Sequence, residues 1–282
     1  MSYETIWRSL VLLCILSIST TALALPKTKI TWHGHATFEI KTPAGAVLMI
    51  DPWLKNPKNP NKEKSPYSNI KRLDYILVTH GHFDHLADAA KLAKQTGARL
   101  ITNFDLGKQM VKLMDYPKDQ MGFDSMINIG GEIQIARGEV MVAMTNAVHS
   151  SAISNPFDEN AGPALYTGGN PAGFVLKIRG GPTIYHSGDT AYFGDMAMIG
   201  EVYQPDVALL ATGGHFTMEP AMAARAAMAI KPKLAIPQHF GTFPVLAQNI
   251  DAFLKPLKKA GISTLVMKPG QTIKFQGRTY LP

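Results

Sequence analysis

The chain has 282 residues, 46% of them hydrophobic and 17% charged, with one cysteine and a formal net charge of +7. This composition excludes a mainly disordered chain, a disulfide-built scaffold, a multi-cysteine zinc ribbon and an iron–sulfur protein. The basic balance suits an anionic substrate, a nucleic acid or an acidic membrane without choosing among them. With a single cysteine, the nine histidines must supply most of any metal site.

Residues 1–24 read as an export signal. Arg8 closes a short polar stretch, residues 10–18 are almost wholly apolar, and Ala22-Leu23-Ala24 fits the pattern cleaved by a signal peptidase. The apolar run falls short of the roughly 20 residues that a permanent span needs. The expected product is therefore exported, periplasmic or secreted, begins at Leu25 and keeps no stable membrane anchor. An uncleaved anchor is the alternative. Cys14 lies inside the signal, with Leu13 where a lipoprotein signal carries a small residue, so the mature chain is expected to be thiol-free.

Beyond the signal, short apolar and β-branched runs flanked by Gly, Pro, Asn and Asp predict strands. They fall at residues 29–32, 46–50, 75–79, 99–102, 139–145, 174–178, 183–185, 207–211, 234–236 and 264–267. Helices are expected at 86–95, 106–114, 220–230 and 246–260, with Pro220 in a first turn and Gly97 and Gly261 at helix ends. Residues 52–69 and 150–170 read as long loops, the first a solvated excursion or active-site rim, the second a connection or substrate gate holding Phe157 and Tyr166. No repeat or low-complexity linker interrupts residues 25–282, so one domain is expected. The strand-heavy first third argues against an alternating barrel and for an α/β (α+β) class, a two-sheet sandwich covered by helices.

The chemistry is concentrated in Thr79-His80-Gly81-His82-Phe83-Asp84-His85, which follows an apolar strand and precedes a helix. Imidazole and carboxylate are suitable donors for zinc or another divalent transition metal. The i, i+2 spacing lets His80 and His82 reach one ion, with Asp84 and His85 directed to a neighbouring position.

These residues resemble the metallo-β-lactamase-fold hydrolases, and most closely the branch related to ascorbate-6-phosphate lactonase. The resemblance covers nearly the whole chain after the signal. It is carried by Trp32-His33-Gly34-His35-Ala36-Thr37-Phe38, Asp51-Pro52-Trp53, the segment at 79–85, Ala147-Val148-His149-Ser150, His186-Ser187-Gly188-Asp189-Thr190 and Pro237-Gln238-His239-Phe240-Gly241-Thr242. It implies a four-layer αββα sandwich. It also implies two divalent ions, zinc first, with manganese or iron also compatible. His80, His82 and His149 would hold the first ion, Asp84, His85 and His239 the second, and Asp189 would bridge both. Asp189 would also orient a metal-bridging hydroxide, giving metal-assisted hydrolysis without a side-chain nucleophile. Asp84 and Asp189 thus join His35 and His215 as the candidate catalytic residues.

The remaining histidines carry separate expectations. His35 is either a proton donor near the metals or a buried structural hydrogen-bonder. His215 either binds substrate or protonates a leaving group, and related proteins carry Asp-Asn where this chain has Gly214-His215. His186 is expected to support Asp189, and His33 to be a strand residue without a special task. Met141, Met144, Met218, Met222 and Met228 read as core filling.

The favoured substrate is a small ester, lactone or phosphorylated metabolite, and the net charge of +7 is compatible with an anionic one. A phosphodiesterase acting on nucleic acid or phospholipid would need a basic and aromatic patch. Residues 55–64 are basic but contain no aromatic side chain, so no nucleic-acid partner is expected. A metal-binding protein without catalysis is the third reading, and the complete ligand set argues against it.

Overall fold

The structure is a computed structural model that describes residues 26–64, 66–154 and 165–282. The expected export segment and Phe157 lie outside the described residues.

The first five strands lie side by side in chain order: β1 (Thr28–Trp32), β2 (Phe38–Lys41), β3 (Val47–Ile50), β4 (Tyr75–Leu77) and β5 (Arg99–Ile101). A second sheet follows, built from β6 (Glu132–Ile135) and β7 (Val140–Asn146). After a small ribbon of β8 (Ala152–Ser154) and β9 (Leu165–Thr167), it continues with β10 (Ala172–Ile178), β11 (Thr183–His186), β12 (Val207–Ala211), β13 (Leu234–Gln238) and β14 (Ser263–Thr264). The chain then returns to the first sheet, where β15 (Thr272–Gln276) pairs with β1 and β16 (Thr279–Leu281) forms the edge. Each large sheet has seven strands.

Strand alternation explains the layering. In β12, Val207 and Leu209 face inward with Phe38, Ile50, Phe174 and Ile236 of both sheets. Its intervening Ala208 and Leu210 face outward and pack under helices with Met196, Ala223, Phe253 and Leu257. Those helices are α4 (Met196–Tyr203), α5 (Pro220–Ile230) and α6 (Asp251–Lys259). The outer face of the first sheet is covered by α2 (Ala89–Thr96) and α3 (Phe104–Leu113), where Met49, Ile76 and Val78 meet Leu92, Leu106 and Met110. The very short α1 (Phe83–Leu86) precedes them. The result is the expected αββα sandwich, with apolar strands buried on both faces as parallel strands require.

Several boundaries differ from the expectation, for local reasons. A single helix over 86–95 is broken at Asp88, whose amide donates to Pro52 O and whose carboxylate accepts from Leu54 N and Tyr67 Oη. The expected helix from Leu246 begins only at Asp251, because Ala247 N donates to Gly213 O in another loop. The loop expected over 150–170 contains the β8–β9 ribbon at its base. The segment over 52–69 has no strand or helix among its described residues, as expected.

Parallel pairing of β11, β12 and β13 puts their C-terminal ends on one edge. Two antiparallel steps, β7 to β10 and β10 to β11, orient β7 the same way. In the first sheet, β4 ends at the same edge, since Ala172 N donates to Thr79 O across the sandwich. Five loops therefore converge on one rim, where irregular backbone can aim side chains from a rigid scaffold.

Candidate metal centre

Three overlapping groups of donors meet at this rim. His80, His82 and His149 form one, His35, Asp84, His85 and His239 a second, and His80, His85 and Asp189 a third, each with its ligand atoms within 4.8 Å of one another. All seven residues of the expected ligand set are thus brought together. His80 Nε2 lies 2.9 Å from His82 Nδ1, and His149 Nε2 lies 3.3 Å from that same atom. Asp189 Oδ2 sits between the groups, 3.0 Å from His239 Nε2, 3.3 Å from His85 Nε2 and 3.8 Å from His149 Nε2. Asp84 Oδ2 is 3.6 Å from His239 Nε2 and 3.9 Å from His85 Nε2.

His35 enters this arrangement more intimately than the sequence indicates. It is fully buried, in the left-handed region at φ 52°, between β1 and β2. Its Nδ1 lies 2.9 Å from Thr242 Oγ1 and its Nε2 2.9 Å from Asp84 Oδ2. His215 stays outside all three groups. Its ring is exposed and packs edge-on against Phe216, although neighbouring Gly213 lies directly against His239.

His186 holds the turn before Asp189, as expected. Gly188 N donates to its Nδ1, which leaves Nε2–H to donate to Ala36 O at 3.1 Å. His33 lies just past β1, 3.7 Å from Glu39.

Comparison with known proteins agrees with this geometry. Residues 47–240 match the family described as the beta-lactamase superfamily domain. The chain belongs to that superfamily. It is 44% identical to a UPF0173 metal-dependent hydrolase of Thermodesulfovibrio yellowstonii over 88% of this chain and 92% of the relative. It is 48% identical to another from Anaeromyxobacter sp., over 88% of this chain and 87% of that one. Among solved structures, it is similar to Igni18, a metallo hydrolase from the archaeon Ignicoccus hospitalis, with a TM-score of 0.74 and 31% identity, over 88% of this chain and 98% of that one. It is accordingly a metal-dependent hydrolase of the metallo-β-lactamase fold.

The residue that sequence reasoning left without a role is Asp51. It follows β3 in the left-handed region at φ 47° and is fully buried. Its Oδ1 accepts from Thr79 N, and its Oδ2 accepts from Thr79 Oγ1 at 2.7 Å and from His85 Nδ1 at 2.8 Å. Because the Thr79 hydroxyl donates to Asp51, its oxygen is left to accept from His80 Nδ1, 3.0 Å away. One carboxylate therefore fixes two imidazoles in the tautomer whose Nε2 lone pair faces the site. Its sequence signals are an acid directly after an apolar strand and its place in the Asp51-Pro52-Trp53 segment, neither of which states a role.

In this superfamily member, electrostatics prepares the donors for a cation. Burial, reinforced by repulsion from neighbouring rings, lowers His80, His82 and His149 below the usual imidazole range and keeps them neutral. Burial and the neighbouring His239 push His35 down to about 4. Burial alone would also lower His85 and His239, but Asp189 and its neighbouring carboxylates prevail. His85 is raised well above its ordinary value and His239 to about 9. For Asp84 and Asp189, burial favours protonation, yet the surrounding histidines hold both well below the usual carboxylate range.

The donor chemistry fits a metal. His85 Nε2, His239 Nε2 and Asp189 Oδ1 are buried without a hydrogen-bond partner in acceptable geometry. Such an atom typically costs about 1–3 kcal/mol unless something satisfies it. Carboxylate and imidazole are the donors that divalent transition metals use, and an ion bound here would displace the proton that the carboxylates hold on His85 and His239.

Proposed function

We propose that the cluster is a binuclear metal centre that hydrolyses a small ester, lactone or phosphorylated metabolite. His80, His82 and His149 would hold one ion, and Asp84, His85 and His239 the other, with Asp189 shared. The observation that supports this reading is the position of Asp189 Oδ2, within 3.8 Å of donors from both groups. Zinc suits this donor set, and manganese or iron is compatible with it. Two such ions supply Lewis acidity and a nucleophilic water near neutral pH.

The chain's own residues do the rest. Asp189 can accept a proton or hydrogen bond from an attacking water through the Oδ1 that has no other partner. His35, tied to Thr242, holds Asp84 in place, and Asp51 does the same for His85. The lactone option rests on the resemblance of the segments at 32–38 and 237–242 to the lactonase-related branch. Export rests on the sequence pattern at 1–24, which supports action outside the cytoplasm.

Metal analysis of the purified protein, joined to a hydrolysis screen over lactones, acyl esters and phosphodiesters, tests this reading. Two ions per chain under replete conditions are expected, and a content well below two removes the binuclear arrangement. Asp189→Ala is expected to abolish turnover while leaving the protein folded by circular dichroism. Full activity in that variant would eliminate Asp189 as the shared ligand.

A further inference from the structure

Three aromatic side chains border the second donor group and have no part in holding it. Phe83 occupies the position between His82 and Asp84, so that its neighbours turn inward while its own ring is 58% exposed. Trp53, from the loop after β3, meets Phe83 edge-to-face with ring centroids 5.5 Å apart. Phe243, from the loop after β13, lies nearly parallel to Trp53 at 5.7 Å and 24°. This layer continues into the donors: Trp53 and Phe243 approach His35 at 5.2 and 5.9 Å, and His35 lies 3.8 Å from His239. Beside the other donors, Val148 precedes His149 and Tyr192 follows Asp189, and both are also exposed, at 48% and 39%.

Single exposed apolar side chains are ordinary, but the exposed Phe83 is continuous through Trp53 with Phe243, both half-buried, and an apolar patch that edges a polar donor cluster marks a binding surface. Folding alone does not reward leaving the Phe83 ring in water, since burying such a ring contributes about 1.5–3 kcal/mol. With Phe83 packed edge-to-face on Trp53, and Trp53 nearly parallel to Phe243, the exposed Phe83 ring keeps surface for one more flat group.

We propose that Trp53, Phe83 and Phe243 form a platform for an aryl or similarly flat apolar group carried next to the scissile bond of the substrate. This deepens the hydrolase reading and rests on the metal centre beside it. A quaternary ammonium group, the other common guest of aromatic rings, is disfavoured on two counts. Trp53 and Phe243 are layered rather than boxed, and a centre holding two cations in a chain of net charge +7 repels positive charge.

Three carboxylates that differ only in their pendant group test the platform without turnover: acetate, phenylacetate and trimethylammonioacetate. Their binding to the zinc-loaded protein is measured by calorimetry, and repeated on the zinc-free protein. Phenylacetate is expected to bind about tenfold more tightly than acetate. Phe83→Ala and Phe243→Ala are each expected to bring that ratio to within about twofold of one, with acetate affinity and zinc content unchanged. A wild-type ratio near one overturns the platform, as does a ratio preserved in both variants or a preference for the trimethylammonium compound. Acetate binding that does not depend on zinc would instead count against the metal centre, so the two failures are distinguishable.

Discussion

At the scale of single residues, Asp51 shows how a group that touches no substrate can govern a metal site. Its two oxygens order Thr79, and through it His80, and they orient His85 directly. Asp51→Asn keeps the volume but replaces one oxygen by a donor, which sets it against Thr79 or His85. The variant is expected to bind metal about 10–100-fold more weakly, read by competition with a chelator. Unchanged affinity would show that the tautomers are set elsewhere. The donors themselves were legible in the sequence because four of them crowd into six residues at 80–85. Asp51 was visible as part of a hallmark yet mute in role, because its partners are separated from it by 28 and 34 positions. The tie from His35 to Thr242 spans 207 positions, and no local pattern announces such a contact.

At the scale of elements, Asn103 joins a helix to the rim. Its side-chain oxygen accepts from Leu106 N and caps α3, while its Nδ2 donates to Gly168 O and Asn170 O at 3.0 Å each. Asn103→Ala removes the cap and both loop anchors together. It is expected to cost about 1–2 kcal/mol from the cap alone, seen as a lowered Tm. A Tm equal to wild type would exclude this anchoring. Long apolar runs made β10, β12 and β13 legible, and Pro220 marked the start of α5 correctly. The strands β6, β15 and β16 are hard to see in the sequence because their apolar runs are short: β15 buries just Ile273 and Phe275, and β16 has three residues with none fully buried. Helix α4 was missed because Met196-Ala197-Met198-Ile199-Gly200 has no clear apolar period. Gly200 is required there by packing, since a side chain at this position would meet the backbone of Ile230.

At the scale of the whole molecule, the far end of the sandwich is joined by Asp206. This buried carboxylate accepts from Thr183 N and pairs with Lys233, just before β13, and with Arg278 of the turn between β15 and β16. Burial favours its protonation, but hydrogen bonds from Arg278 and Lys233 outweigh this and hold it below the usual carboxylate range. A carboxylate lowered on folding contributes stability above its unfolded value and loses it as pH falls through the folded one. Asp206→Asn is therefore expected to cost about 1–3 kcal/mol near neutral pH, with the gap to wild type closing below about pH 4. Thermal melts across that range measure it, and a gap independent of pH would exclude the ionised joint. The sandwich itself was legible from the order of strands, whereas this joint between its sheets depends on residues 72 positions apart. The opposite rim is fastened differently, by backbone bonds from His239 N to His35 O and from Ala172 N to Thr79 O. Because the second donor group takes members from His35 through to His239, a nascent chain emerging from the ribosome cannot assemble it until nearly all of its length has been synthesised. An ion that needs the whole group is therefore acquired only after most of the chain has been made.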